Sequence, residues 1–240
     1  MPYARYFRPD QKLTLRPVKT DTTSDVIEDL SAFVLQFENN RALLRLPYDN
    51  RPGEDYPFQP GMEVELVGEA LGLGLRATGT LVTCPQRDQV EIELNPDLQA
   101  FQRRLHPRGD VRVGLRYTRG HGTLRTFRNQ WEKNVRILTT KSALEKLGHF
   151  PRVDLNLGTG GIRFAIRPPV QVADLCMLLI QLTANESPIC ALAEVVWLAE
   201  EENENPSRRT AGLKFINILK SDQQRIEQFL KEQRAVEGQA

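Results

Sequence analysis

Apolar and polar residues alternate with a period of two through much of this chain, in short runs separated by turn-forming residues. Residues 89–94 are the cleanest case. Val90, Ile92 and Leu94 fall on one side and Gln89, Glu91 and Glu93 on the other, the mark of a half-buried strand. Shorter apolar runs at 31–37, 42–47, 63–67 and 74–82 are bounded by Asn39-Asn40, by Asp49-Asn50 and by a proline- and glycine-rich stretch at 51–61. Short strands with turn signals between them, and no helical run, predict a small closed or nearly closed barrel over about 25–98. Residues 1–24 are polar, basic and proline-bearing, and are expected to form an arm without a core of its own.

A second β series begins at 111–117 and resumes at 153–157, 162–166, 175–182, 191–198 and 211–218. The stretch 118–152 interrupts it. There a short helix is predicted, capped by Thr140, with Leu144 and Leu147 on one face and Gly148 at its end. An acidic loop at 200–205 separates the last two strands. A closing helix is expected at 221–234, with Ser221 as N-cap, Gln224 three residues on, and Ile226, Phe229 and Leu230 as its packing stripe. The fold class is therefore mainly β: two small antiparallel barrels, the second over 111–236 with its C-terminal helix, joined by a linker at 99–110.

A length of 240 residues suits two domains, and 40% hydrophobic content supports real cores. Lys plus Arg total 32 against 31 for Asp plus Glu, so the bulk basic excess of a duplex-DNA binder is missing and no nucleic-acid partner is expected. The charge is uneven, though. Between Arg103 and Arg136 stand ten basic residues and only two acids, Asp110 and Glu132, a field suited to a compact anion or an acidic partner. Cys84, Cys176 and Cys190 are too widely spaced for a disulfide framework or a zinc site, and the last two lie in apolar runs that suit buried thiols. The N-terminus lacks a signal-peptide core and no apolar run reaches spanning length, so a cytoplasmic protein is expected.

Candidates for catalysis are thin. His106, His121 and His149 have no carboxylate or cysteine at metal-ligand spacing. No nucleophile elbow or dinucleotide fingerprint occurs, so no catalytic residue, metal or cofactor is expected. Trp131 could stack on a base but reads more simply as a lone surface or core residue, and Trp197, within a strand, reads as core.

Two segments stand out together. Phe101-Gln-Arg-Arg-Leu-His-Pro-Arg108 lies between the two β series, and Asp154-Leu-Asn-Leu-Gly-Thr-Gly-Gly-Ile-Arg-Phe164 follows some way after it. An Arg pair alone is usually a solvated charge cluster. On a non-helical linker ahead of a glycine-dense strand end, it resembles the PilZ domain family over about 102–233. That family carries RxxxR before its first strand, matched by Arg104 to Arg108 with Arg103 preceding. Its second motif, [D/N]xSxxG, is matched by Asn156 to Gly161 and continued by Ile162-Arg163. The N-terminal barrel resembles, less specifically, the partner domain of YcgR-type flagellar-brake proteins.

The resemblance implies a non-enzymatic receptor for cyclic di-GMP. Its ligand-binding set would be Arg103, Arg104, Arg108, Asn156, Gly158, Gly160, Gly161 and Arg163. Guanidinium groups can fork onto phosphates or meet guanine O6 and N7, and glycines let backbone approach a nucleotide or take unusual dihedrals. Ligand would order the linker and change the orientation of the barrels, acting on a flagellar-motor or polysaccharide-synthesis protein. The family serine is Gly158 here, and a lost neutral hydrogen bond is worth about 1 kcal/mol. That departure and the 118–152 insertion leave room for a PilZ-type adaptor acting by protein contacts alone. A flavin-binding split-barrel oxidoreductase is a third possibility, which colour would reveal. Oligomeric state is not legible.

Overall fold

A computed structural model of the chain describes residues 6–18, 26–48, 58–70, 73–102, 108–120, 123–139, 147–184, 186–199 and 208–237. The chain divides into two compact units. One comprises residues 1–24, 28–105 and 123–125, the other residues 25–27, 106–122 and 126–240.

The first unit is a closed antiparallel barrel. Its strands are β1 (Lys12–Pro17), β3 (Leu30–Glu38), β4 (Arg41–Arg45), β5 (Glu63–Ala70), β6 (Leu73–Thr83), β7 (Gln89–Leu94) and β8 (Gln99–Phe101). They run in the order β5-β1-β3-β4-β7-β6, β5 pairs again with β6 to close the ring, and β8 adds to β6. The period-2 pattern of β7 holds, with Val90, Ile92 and Leu94 buried. Asn39 and Asn40 take φ of 48° and 64°, so the β3–β4 hairpin turns through two left-handed residues, a geometry asparagine tolerates well.

One expectation is corrected here. Residues 12–17, read as part of an arm, form β1 between β3 and β5, with Leu13 and Leu15 buried at i, i+2. Two leucines flanked by prolines make too short a pattern to announce a central strand. What holds β1 is tertiary: Arg16 bonds Asp29 Oδ1, just ahead of β3, and Glu65 Oε2 on β5, both at 2.7 Å.

The second unit is also a closed barrel. It comprises β9 (Gly109–Arg119), β10 (Arg152–Gly158), β11 (Gly161–Ile166), β12 (Leu175–Gln181), β13 (Ile189–Leu198) and β14 (Arg209–Leu219), with β2 (Val26–Glu28) adding to β14. The ring runs β11-β10-β9-β12-β13-β14 and closes through β11–β14. Val113, Leu157, Phe164, Leu178 and Phe215 are among the residues filling it. Helix α2 (Lys220–Glu237) follows β14 directly, and Ile226 and Leu230 join the same core.

A helix also interrupts the series after β9, but not where it was expected. Residues 140–146 of the predicted helix lie outside the described residues. The helix α1 (Leu124–Leu138) stands ahead of them. Leu124, Phe127 and Trp131 recur at i, i+3, i+7 and are buried, and Trp131 Nε1–H donates to Cys190 O at 2.9 Å. Trp131 is thus a core residue, removed from any role in stacking. Among the described residues no helix is long and apolar enough to cross a membrane.

Candidate ligand site on the second barrel

Alternation along β10 and β11 turns Leu155, Leu157, Ile162 and Phe164 inward, so Asp154, Asn156, Arg163 and the motif glycines face outward. Antiparallel pairing then aligns side chains from five strands into one transverse row. Asp110 on β9 sits opposite Asn156, Asn156 opposite Arg163, Arg163 opposite Gly212 on β14, and Gly212 opposite Trp197 on β13. A second row lies beside it, where Gly158 pairs with Gly161 and Gly161 with Lys214. With neighbouring strands about 4.8 Å apart, Arg163 and Trp197 stand roughly 10 Å from one another across Gly212. The result is a shallow trough floored by glycine and edged by two arginines, an amide, a carboxylate and an indole.

The glycines earn their places by space rather than by dihedral angle. Among the described glycines only Gly61 and Gly148 have positive φ, so Gly158, Gly160 and Gly161 take backbone that any residue could adopt. The expectation that the motif glycines permit unusual dihedrals is therefore corrected. A Cβ on Gly161 would lie 2.3 Å from Leu213 O, a backbone atom that cannot step aside, so this glycine lets β11 close the barrel against β14. A Cβ on Gly158 would lie 2.9 Å from Arg108 Cγ, because the aliphatic stem of Arg108 rests on it. A Cβ on Gly160 would meet nothing within 4 Å.

Of the predicted residues, the structure brings Arg108, Asn156, Gly158, Gly161 and Arg163 onto one face, with Gly160 in the turn at its end. Arg103 and Arg104 lie outside the described residues. Asn156 Nδ2 donates to Asp110 Oδ1 at 2.8 Å, and Arg163 Nη2 stands 3.6 Å from the same oxygen. One carboxylate thereby orients two site side chains, leaving Asn156 Oδ1 and most of the guanidinium facing outward. These pairs are well exposed, so each contributes little to stability and can be exchanged for a ligand at small cost.

Trp197 is the site residue that sequence reasoning missed, and its assignment to the core is corrected. It is 42% exposed and lies flat on Gly212, where a Cβ would come within 2.0 Å of the indole nitrogen. A signal existed: in 189–198 the inward run ends at Val195, and Trp197 shares its parity but follows a bulge between Val195 and Trp197. A bulge cannot be counted from one strand's sequence. Asp110 is a second such residue: in the sequence it is one of two acids in a basic stretch, and only the β9–β10 pairing sets it beside Asn156.

The basic stretch itself is less concentrated than its sequence suggests. Arg116 donates to the carbonyls of Leu147 and His149 and stacks 4.7 Å from the Phe150 ring centroid, while Arg119 bonds Pro169 O. Arg112 faces Asp154 at 3.8 Å. Among the described residues, Arg108 and Arg163 are the arginines at the trough. No group of three or more metal-ligating side chains occurs among the described residues.

A family model described as PilZ domain matches residues 102–232. No curated protein matches the sequence. Among solved structures, the Bacillus subtilis inhibitor of motility MotI/DgrA is 16% identical, with 95% of this chain and 98% of that chain covered at a TM-score of 0.37. The MrkH–c-di-GMP complex of K. pneumonia is 14% identical, with 96% and 90% covered at a TM-score of 0.35.

Proposed function

Since this chain belongs to the PilZ domain family, we propose that it is a non-enzymatic receptor for cyclic di-GMP, bound in the trough on the second barrel. The observation that carries this reading is the glycine-floored row, with Arg108 and Arg163 at one side and the half-exposed Trp197 at the other. A cyclic dinucleotide offers two phosphates and two purines. Guanidinium groups meet the phosphates or a guanine Hoogsteen edge with charge-assisted bonds, and an indole face takes a purine by stacking. Asn156 supplies an acceptor and a spare N–H to a base edge or ribose. Gly158 and Gly212 make room for the Arg108 stem and the Trp197 indole, which rest on them and so lie low against the sheet beside a bound ligand. None of these groups is a nucleophile or an activated base, which fits binding rather than turnover.

Arg103 and Arg104 enter the proposal from the motif. As neighbours of Arg108 on a segment between two β units, they have the reach to close over a ligand seated on the trough. In this reading ligand orders that segment, changes how the two units are oriented and thereby regulates a protein partner in motility or polysaccharide synthesis. A ligand shifts such an equilibrium only by its differential affinity for the two arrangements, so the arginine bonds must be stronger in the liganded one.

Calorimetric titration of the full chain with cyclic di-GMP tests the reading. The expected result is saturable heat below about 100 μM, a generous ceiling for a signalling ligand. An Arg104→Ala, Arg108→Ala variant should bind at least tenfold more weakly, on the order of one lost charge-assisted bond. Absence of heat with the folded parent would favour an adaptor that works by protein contacts alone.

A further inference from the structure

Helix α2 reaches the trough from behind at two separate points. Gln223 Nε2 donates to Thr159 O at 3.0 Å, gripping the turn between β10 and β11. Arg234 Nη2 donates to Arg108 O at 3.1 Å, gripping the chain where it enters β9. Between these bonds Leu230 lies against Gly109, where an added Cβ would come within 2.9 Å of its Cδ2. Gln223, Ile226, Leu230 and Arg234 fall at i, i+3, i+7 and i+11, which places them on one stripe of the helix. Eleven residues of helix span about 16 Å, so one helix face can hold both motif segments at the Arg108 end of the trough. Core packing explains Ile226 and Leu230, both essentially fully buried. It does not explain why a donor stands at each end of the stripe, each on a carbonyl of a motif segment.

We infer that Gln223 and Arg234 are positioning residues for the nucleotide site, one setting the glycine turn and the other setting Arg108. The inference rests on the reading of this trough as the cyclic di-GMP site. Arg108 is held at two places: its carbonyl by Arg234, its side-chain stem on Gly158. With the main chain fixed at that point, the exposed guanidinium sweeps a restricted arc over the trough. Binding then costs less ordering entropy, which is affinity gained without any contact to the ligand. Gln223 acts likewise on Thr159. That residue's neighbour Gly160 accepts the Phe215 amide at 3.0 Å, so the turn is pinned from both sides.

The test is calorimetry with cyclic di-GMP on the full-length parent and on Arg234→Met and Gln223→Leu, which keep length and apolar bulk but cannot donate. Each is expected to weaken binding about three- to tenfold with the melting temperature unchanged, the scale of one hydrogen bond. Arg234→Lys, which retains a donor, should recover most of the loss. The decisive arm is a cycle with Arg108→Ala: the Arg234→Met effect should vanish there, because nothing is left for that bond to aim. Parent-like binding by both variants overturns the inference and leaves the site reading intact. A melting temperature that falls in step with affinity, or an equal loss in the Arg108→Ala background, assigns Arg234 a purely structural role and also overturns it. No heat from the folded parent overturns the site reading itself, and this inference with it.

Discussion

Replacing Gly158 should raise stability and lower affinity at once, and the opposed signs follow from two distances. Gly158 sits in an extended strand without positive φ, so alanine there removes unfolded-state freedom and favours folding by about 0.5–1 kcal/mol. For a chain of this size that is a rise of roughly 1–4 °C in melting temperature. The added Cβ would stand 2.9 Å from Arg108 Cγ and 3.5 Å from its Nε, however, and ordinary contact begins near the second value. The exposed stem of Arg108 must tilt away, which costs nothing when it swings into solvent. Returning it to the trough for a ligand would force a strained rotamer worth about 0.5–1.5 kcal/mol. Affinity for cyclic di-GMP should fall about two- to tenfold. Serine, the family residue, adds the same Cβ but also a hydroxyl whose bond is worth about 1 kcal/mol, so Gly158→Ser should bind nearly as the parent does. The measurements are paired calorimetry and thermal melts on parent, Gly158→Ala, Gly158→Ser and Gly158→Ala in an Arg108→Ala background. If Gly158→Ala binds as tightly as the parent, or if its loss persists without the Arg108 side chain, the steric reasoning is refuted.

Three further outcomes are expected. Of the two tryptophans, Trp131 is buried and Trp197 is 42% exposed, so ligand should quench fluorescence through Trp197. Trp197→Ala should abolish the quench and weaken binding by the about 1–3 kcal/mol of a base–aromatic stack, while Trp131→Phe keeps the quench. Gly161→Ala should cost at least the about 1–3 kcal/mol of overpacking, read as a drop in urea midpoint, because its Cβ meets Leu213 O at 2.3 Å. Burial pushes the thiols of Cys176 and Cys190 up to about 12 from 9.0, whereas Cys84 is exposed. A raised thiol pKa stabilises the fold below the unfolded value and is lost as pH climbs through the window from 9.0 to about 12. Melting temperature should therefore fall across that window, less steeply in a Cys176→Ala, Cys190→Ala variant. A thiol reagent at neutral pH should reach one cysteine in the folded chain and all three after denaturation.

How far the sequence alone reached is best judged strand by strand. Where one face of a strand is buried and the other wet, the period of two is written directly into residue order, and β7, β10 and β11 were legible for that reason. The Asn39-Asn40 turn and the Ile226–Leu230 stripe were legible too, because turn chemistry and helical spacing are local. β1 was not, since its two buried leucines gain meaning only between β3 and β5. Helix α1 carried a readable stripe in Leu124, Phe127 and Trp131, obscured by the many arginines on its other faces.

The motif residues could be named from residue order, but not what surrounds them. That Asp110, Asn156, Arg163, Gly212 and Trp197 form one row depends on the register of four strand pairings. Register is a nonlocal property, and a bulge near Trp197 shifts it by one residue, enough to exchange inside for outside. Local chemistry along the chain thus determined which residue types were available for recognition. Closure of the barrel decided which of them share a face, because only the pairing of distant strands brings side chains a hundred residues apart within reach of one ligand.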